Sequence, residues 1–276
     1  MNKKVLFIAS YPKSGNTFMR AIISSLIYSE DGVFDFGLFK RISLIDTNPF
    51  YDFVKKINKE DFLKLNNIET ASKYWQLAQE KHYKLTKNFI FKTHAANLAF
   101  ENHSYTSEEN CMGVIYLVRD PRSIVPSYSY HLNMSNNEVF EKITKLNQIT
   151  FNPKKNICVP LSNWAIHIKS WKNSNIPIIF IRFEDLVLDT TTIIYQCIEF
   201  LNSINVQFNY SSKKIEKIYE STKFEKLKNT EEKEFTIGKD KNFFRKGSIS
   251  NDELSVEMAT KLKNIFDDQM KEFNYF

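Results

Sequence analysis

The sequence predicts an α/β fold, a central parallel sheet covered by helices on both faces. Three observations carry this reading. Four short apolar runs do not alternate as half-exposed strands would: Val5 to Ala9, Asn88 to His94, Val114 to Val118 and Ile178 to Phe183. Stretches of helical spacing separate them, among them Trp164, Ile168 and Trp171, and then Thr190 to Leu201. The first run leads through a tight small-residue turn directly into a helix, the entry of a βα unit.

That first unit reads V-L-F-I-A-S-Y-P-K-S-G-N-T-F-M-R from Val5 to Arg20. The strand stops at Tyr11-Pro12, the turn is Lys13-Ser14-Gly15-Asn16-Thr17, and Phe18, Met19, Ile22, Ile23, Leu26 and Ile27 follow at helical spacing. Strand, turn and helix N-terminus together offer backbone N–H groups and a positive dipole to an anion. Lys13 adds a mobile charge and Ser14 and Thr17 add hydroxyls, so the turn is expected to hold a phosphate. An ordinary strand-to-helix connection with a solvated lysine would use the same residue types.

Residues 28–88 are less regular, with turns at Asp31-Gly32 and Asn48-Pro49, short amphipathic helices over Tyr51 to Leu65, and a further helix from Glu69 to Leu85. The segment suits a lid or substrate wall, and equally passive packing. Asp31, Asp35, Asp46 and Asp52 fall within it and could meet a cationic ligand, although scattered aspartates are more often solvated. The second strand ends in Lys92-Thr93-His94, at a strand C-terminus, where open α/β sheets place ligand chemistry.

The third strand ends in Arg119-Asp120-Pro121-Arg122, and a helix opening at Ser123 is expected to carry Pro126 in its first turn. Arg119 and Ser127 could grip a second phosphate through charge-assisted hydrogen bonds. A surface pair of Arg119 with Asp120 is the alternative. A polar loop over 133–160 precedes the Trp164 helix, and the fourth strand runs into Glu184-Asp185. Near the end lie Ser221-Thr222-Lys223-Phe224, a charged stretch, Arg245-Lys246-Gly247 and an amphipathic helix around Leu254 to Phe273. Paired basics beside a glycine let backbone and side chains approach one anion together.

Composition narrows the class. The 276 residues are 42% hydrophobic and 25% charged, with 24 Phe, 13 Tyr and only 6 Gly, so there is ample core and little linker. A net charge of +6 suits an anionic ligand, but the lysines are scattered and form no nucleic-acid stripe. Cys111, Cys158 and Cys197 are far apart and have no metal-ligand spacing, so neither a disulfide framework nor a metal site is expected. With no long apolar span, a soluble cytoplasmic protein with no membrane partner is expected. The abundance of Lys, Asn and Ile reads as base composition and suggests a bacterial source.

Four of these pieces together resemble the sulfotransferases that use 3′-phosphoadenosine 5′-phosphosulfate (PAPS). The family's 5′-phosphosulfate loop, Tyr-Pro-Lys-Ser-Gly-Thr-Thr-Trp, matches Tyr11 to Phe18 with Asn16 and Phe18 substituted. Its catalytic Lys-Thr-His matches Lys92-Thr93-His94, its Arg and Ser eight residues apart match Arg119 and Ser127, and its Arg-Lys-Gly matches Arg245-Lys246-Gly247. Weaker matches are Phe183-Glu184-Asp185 for a Tyr-Glu-Asp, and Thr222 and Phe224 near the adenine. Phe18 stands where the family has a stacking Trp, Phe183 lacks a tyrosine hydroxyl, and a second Gly and a Lys usual after Gly247 are missing.

The resemblance implies a single sulfotransferase domain over 1–276 with a P-loop-like parallel sheet, in which 28–88 and 132–160 are acceptor-wall or lid insertions. It implies His94 as general base, Lys13 on the leaving phosphate and Lys92 on the sulfuryl oxygens. The 5′-phosphate would be held by Lys13, Ser14, Gly15, Asn16 and Thr17, and the 3′-phosphate by Arg119, Ser127, Arg245, Lys246 and Gly247. Phe18, Phe183, Thr222 and Phe224 would surround the base. PAPS is then the co-substrate, 3′,5′-ADP its product, no metal is needed, and the chain acts as a monomer or homodimer. The acceptor is a small molecule bearing a hydroxyl, amine or carbamoyl nitrogen, with polar alkaloids of the saxitoxin type as one class by analogy. The rival readings are a P-loop kinase or NTPase, which needs Gly-x-x-x-x-Gly-Lys-Ser/Thr, a non-catalytic nucleotide-binding module, and a membrane-anchored carbohydrate sulfotransferase.

Overall fold

The computed structural model describes residues 5–152, 157–223, 225–227 and 254–276. Its main sheet has five strands: β1 (Val5–Ser10), β2 (Ile42–Leu44), β3 (Ile90–Thr93), β4 (Cys111–Val118) and β5 (Ile178–Arg182), in the order β2-β3-β1-β4-β5. β1 pairs in parallel with β3 and β4, and β2 pairs in parallel with β3. Every residue of β1 is buried, which is why its sequence is apolar without alternation. In register, Ala9 lies between Thr93 and Tyr116, so the strand ends that carry polar residues come level with one another. The expected parallel sheet with flanking helices is the fold observed.

Four features within residues 28–160 differ from expectation. The 28–88 segment contributes a sheet strand, β2, whose three residues were too few to announce themselves by pattern. The helix expected over 69–85 breaks into Ile68–Ser72 and Trp75–Thr86, with Asn67 accepting from Thr70 N–H as the N-cap of the first piece. The expected polar loop of 133–160 contains the helix Asn136–Thr144 and a hairpin of Ile149–Asn152 with Ile157–Pro160. The helix after β4 begins at Pro121 with Asp120 as its cap, so Pro126 lies inside it rather than in its first turn.

The chain divides into two compact units that interleave in sequence. The first comprises residues 1–12, 42–118 and 140–180. Its centre is aromatic: Phe7 of β1 meets Phe91 edge-on at 5.9 Å, Tyr105 at 5.8 Å and Trp171 at 5.7 Å between ring centroids. The helix Trp164–Lys172 brings Trp164, Ile168 and Trp171 into this core, capped by the Asn163 side chain on Ile166 N–H.

The second unit comprises residues 13–41, 119–139 and 181–276. Its helix Asn16–Tyr28 buries Met19, Ile22, Ile23 and Leu26 and packs on the helix Ser212–Thr222 and the 3-10 turn Phe36–Arg41. Lys214 reaches back to the end of that first helix, donating from Nζ to the carbonyls of Leu26 and Asn209 at 2.9 Å each. The expected C-terminal helix is two, Val256–Ile265 and Asp267–Glu272. Cys111, Cys158 and Cys197 are buried free thiols.

Candidate active site

In the first unit, polar residues gather where β1 and β3 end. His94 follows β3 and donates from Nδ1 to the Ser10 carbonyl at 2.8 Å, with Ser10 Oγ at 3.2 Å. A carbonyl oxygen only accepts, so Nδ1 carries the hydrogen and the neutral ring keeps its lone pair on Nε2. That tautomer can take a proton from a bound group. Lys92 is half-buried on β3, beside Ile8 of β1 and Leu44 of β2.

Asp46 proves to be the anchor of this cluster rather than a solvated wall residue. Its carboxylate accepts from Thr93 Oγ1 at 2.8 Å, from the His94 backbone N–H at 3.2 Å and from the Tyr105 hydroxyl at 2.6 Å. Thr93 Oγ1 in turn accepts from Ala95 N–H at 2.9 Å. The Lys-Thr-His triplet is thus locked through its middle residue, and burial together with the Asp46 charge pushes the Tyr105 hydroxyl well above the usual tyrosine range.

In the second unit, the turn after β1 holds Lys13 at φ +69° and Gly15 at φ +90°. Gly15 caps the Asn16–Tyr28 helix from the left-handed region, with no side-chain cap and no acidic residue in the first turn. A Cβ at Gly15 would run into the ring of Phe183, so glycine is required twice over. Arg119 donates to the Lys13 carbonyl at 2.9 Å and stacks its guanidinium 4.4 Å from the centroid of the same Phe183 ring. Lys13, Gly15, Arg119 and Phe183 therefore form one mutually held group, and burial lowers the Arg119 pKa while Glu184 opposes the shift.

The Ser14 hydroxyl is buried with no hydrogen-bond partner among the described residues. A buried donor left so costs about 1–3 kcal/mol, and a phosphate oxygen would satisfy it. With the uncapped helix start, the turn offers an anion a hydroxyl donor, backbone N–H groups and the positive end of a helix. Asn16 and Phe18 are buried and Thr17 is half-buried. Ser127 is half-buried in the second turn of its helix. Thr222 is fully buried, and its hydroxyl donates to the Ile218 carbonyl at 2.7 Å. Phe224, Arg245, Lys246 and Gly247 lie outside the described residues.

Asp120 pairs with Arg122, and its charge also acts on Arg119. Asp120 is buried and takes Arg122 Nε on both oxygens at 3.0 Å. Glu184 accepts from Asp120 N–H at 3.2 Å and from the Tyr275 hydroxyl at 2.9 Å, and burial raises its pKa. Pattern reasoning missed Tyr105, Tyr116, His167 and Tyr275 because nothing in their local sequence marks them.

Among the described residues no cluster of three or more His, Cys, Asp or Glu side chains is placed to hold a metal ion. No helix there is long and apolar enough to cross a membrane.

Residues 3–274 match the sulfotransferase domain family. Mouse sulfotransferase 1E1 is 26% identical over 284 residues, which cover 97% of this chain and 82% of that protein. Two solved structures share the fold. Mouse sulfotransferase SULT7A1 complexed with PAP has a TM-score of 0.61 at 18% identity, over 98% of this chain and 86% of that one. Retinol dehydratase in complex with androsterone and inactive cofactor PAP has a TM-score of 0.60 at 22% identity, over 96% and 80%. The chain belongs to the sulfotransferase family, and it is an enzyme that takes its sulfuryl group from PAPS.

Proposed function

We propose that the protein transfers the sulfuryl group of PAPS to a hydroxyl, or to an amine or carbamoyl nitrogen, of a small molecule, with His94 as general base. The observation that carries this reading is the hydrogen bond from His94 Nδ1 to the Ser10 carbonyl, which leaves Nε2 as the proton acceptor. In the transfer the acceptor's proton passes to Nε2, its oxygen or nitrogen forms a bond to sulfur, and the bridging S–O bond breaks. The bonding pair stays on the bridging oxygen, and 3′,5′-ADP leaves. Lys13 neutralises that oxygen as it gains charge, and Lys92 steadies the sulfuryl oxygens.

For the donor, the Ser14 hydroxyl, the turn N–H groups and Thr17 take the 5′-phosphate. Arg119 and Ser127 take the 3′-phosphate, with Phe18, Phe183 and Thr222 near the base. Arg245, Lys246, Gly247 and Phe224 are assigned to the nucleotide by resemblance. Lysine charges serve where a kinase would use Mg²⁺, so turnover should persist in EDTA with PAPS and be absent with ATP and Mg²⁺. His94→Ala should lower kcat by roughly 10²–10⁴ while 3′,5′-ADP binding stays within twofold. Undiminished turnover would remove His94 from the chemistry. Acceptors are sought with a panel of phenols, aliphatic alcohols and polar guanidinium alkaloids of the saxitoxin type.

A further inference from the structure

A directed hydrogen-bond chain runs behind His94, entirely within the first unit. The backbone N–H of Tyr11 binds the Tyr116 hydroxyl, and that hydroxyl donates to His167 Nδ1 at 2.7 Å. His167 Nε2 donates to the His94 carbonyl at 3.1 Å. The direction is forced at each step, because a backbone N–H only donates and a carbonyl only accepts. His167 must therefore hold its hydrogen on Nε2 and take one on Nδ1. It is wholly buried, and burial lowers its pKa to about 4, so it stays neutral at working pH. One helical turn further along, Trp171 Nε1 donates to the Ala95 carbonyl at 3.0 Å. Two side chains on one helix face thus hold the two carbonyls just past the end of β3, where no strand partner continues.

We propose that His167, oriented by Tyr116, is a positioning residue for the reaction, fixing the backbone that carries His94 so that Nε2 meets the acceptor's proton. This inference rests on His94 being the base. A buried histidine in a core commonly serves packing alone, but packing alone would not need a defined tautomer. Here both ring nitrogens are used, in one direction, and the chain ends on the backbone of the base itself. Displacement of a catalytic group by about 1 Å costs up to about 10²-fold in rate.

The test compares His167→Leu, His167→Gln and Tyr116→Phe, each alone and with His94→Ala. Glutamine can place an amide N–H where Nε2 donates, and leucine cannot. His167→Leu should lower kcat by roughly 10- to 100-fold, with the KM for PAPS within about twofold. His167→Gln should recover most of that loss, and Tyr116→Phe should give a smaller fall in kcat. In the His94→Ala background none of these changes should reduce turnover further, because the residue acts through His94.

Equal losses for leucine and glutamine, a rise in KM matching the fall in kcat, or additive losses with His94→Ala would each overturn the positioning role. If His167→Leu does not fold, Tyr116→Phe, which removes one oxygen, decides the matter by the same kcat and double-variant criteria. Should His94→Ala alone leave turnover intact, the base assignment fails. Should it abolish turnover while the His167 and Tyr116 variants match the wild type, only the positioning role fails.

Discussion

The two halves of the chemistry are built on opposite principles. Around His94 nearly every polar group already has its partner: Asp46 is bound by Thr93, Tyr105 and the His94 backbone, and the His94 carbonyl is held by His167. In the turn after β1, the Ser14 hydroxyl is buried without a partner among the described residues, and Gly15 starts a helix with no side-chain cap. The first half is organised by the fold itself. In the proposed function the second is completed by the donor's phosphate. Under the proposed function, proton transfer at His94 needs geometry set to fractions of an ångström, which groups fixed in advance supply. Donor capture can draw on the free energy of satisfying groups that the fold leaves unsatisfied.

The largest break in that contrast should come from Arg119→Ala. Arg119 braces the turn through the Lys13 carbonyl and the Phe183 ring, and in the proposed function it also takes the 3′-phosphate. Losing a buried charge from such a pair costs about 2–5 kcal/mol, roughly 30-fold or more in affinity. Calorimetry should show 3′,5′-ADP weakened by that amount and 5′-AMP far less. Equal losses would mean that Arg119 only braces the turn.

Gly15→Ala tests the same half through its backbone. A left-handed φ costs an L-residue about 1–2 kcal/mol, and forcing a methyl against the Phe183 ring adds about 1–3 kcal/mol. Stability should fall by about 2–5 kcal/mol in denaturant titrations, and 3′,5′-ADP affinity should fall with it. Phe183→Ala should relieve the steric part and leave the backbone part. A Gly15→Ala variant of wild-type stability would show that the turn adapts.

How much of this could be read from the chain alone follows the range of the interactions. β1, its turn, β4 and the Lys92-Thr93-His94 triplet were legible, because local pattern states a buried strand and its polar end. β2 was not, since three residues become a strand only by pairing with β3, nearly fifty positions away in the chain. Asp46 read as a solvated acid because its partners Thr93 and Tyr105 lie far along the chain. His167 sits between residues whose apolar spacing was plain, and a lone histidine there carries no local signal. Strands and turns are written locally, whereas the groups that orient a site are fixed by tertiary contact.

The organised half has a pH signature. His167 is held neutral with its pKa lowered to about 4, below the ordinary 6.5 that it recovers on unfolding. Between those values the unfolded chain binds more protons, so this stabilisation is whole above about pH 6.5 and is lost as pH falls towards 4. The full difference corresponds to about 3 kcal/mol. Urea midpoints of the wild type should therefore fall more steeply from pH 6.5 to 4.5 than those of His167→Gln, which has no proton to bind. Parallel curves would mean that His167 titrates normally.

Ser14→Ala is the smallest change and separates the halves by sign. In an ordinary buried site, removing a hydroxyl breaks a hydrogen bond and destabilises by about 1 kcal/mol. Ser14 Oγ has no partner among the described residues, so its removal relieves a desolvated group and loses nothing in return. The free protein should be unchanged or more stable by up to about 1 kcal/mol. The 3′,5′-ADP complex should lose a bond to phosphate worth about 1.5–3 kcal/mol, roughly 10-fold or more in affinity. By contrast Thr93→Val, in the organised half, should destabilise the free protein, because Asp46 and the Ala95 N–H both lose a partner, while 3′,5′-ADP affinity holds. If Ser14→Ala instead destabilises the free protein and leaves 3′,5′-ADP affinity alone, the turn is organised in the same way as the His94 half, and the contrast between them fails.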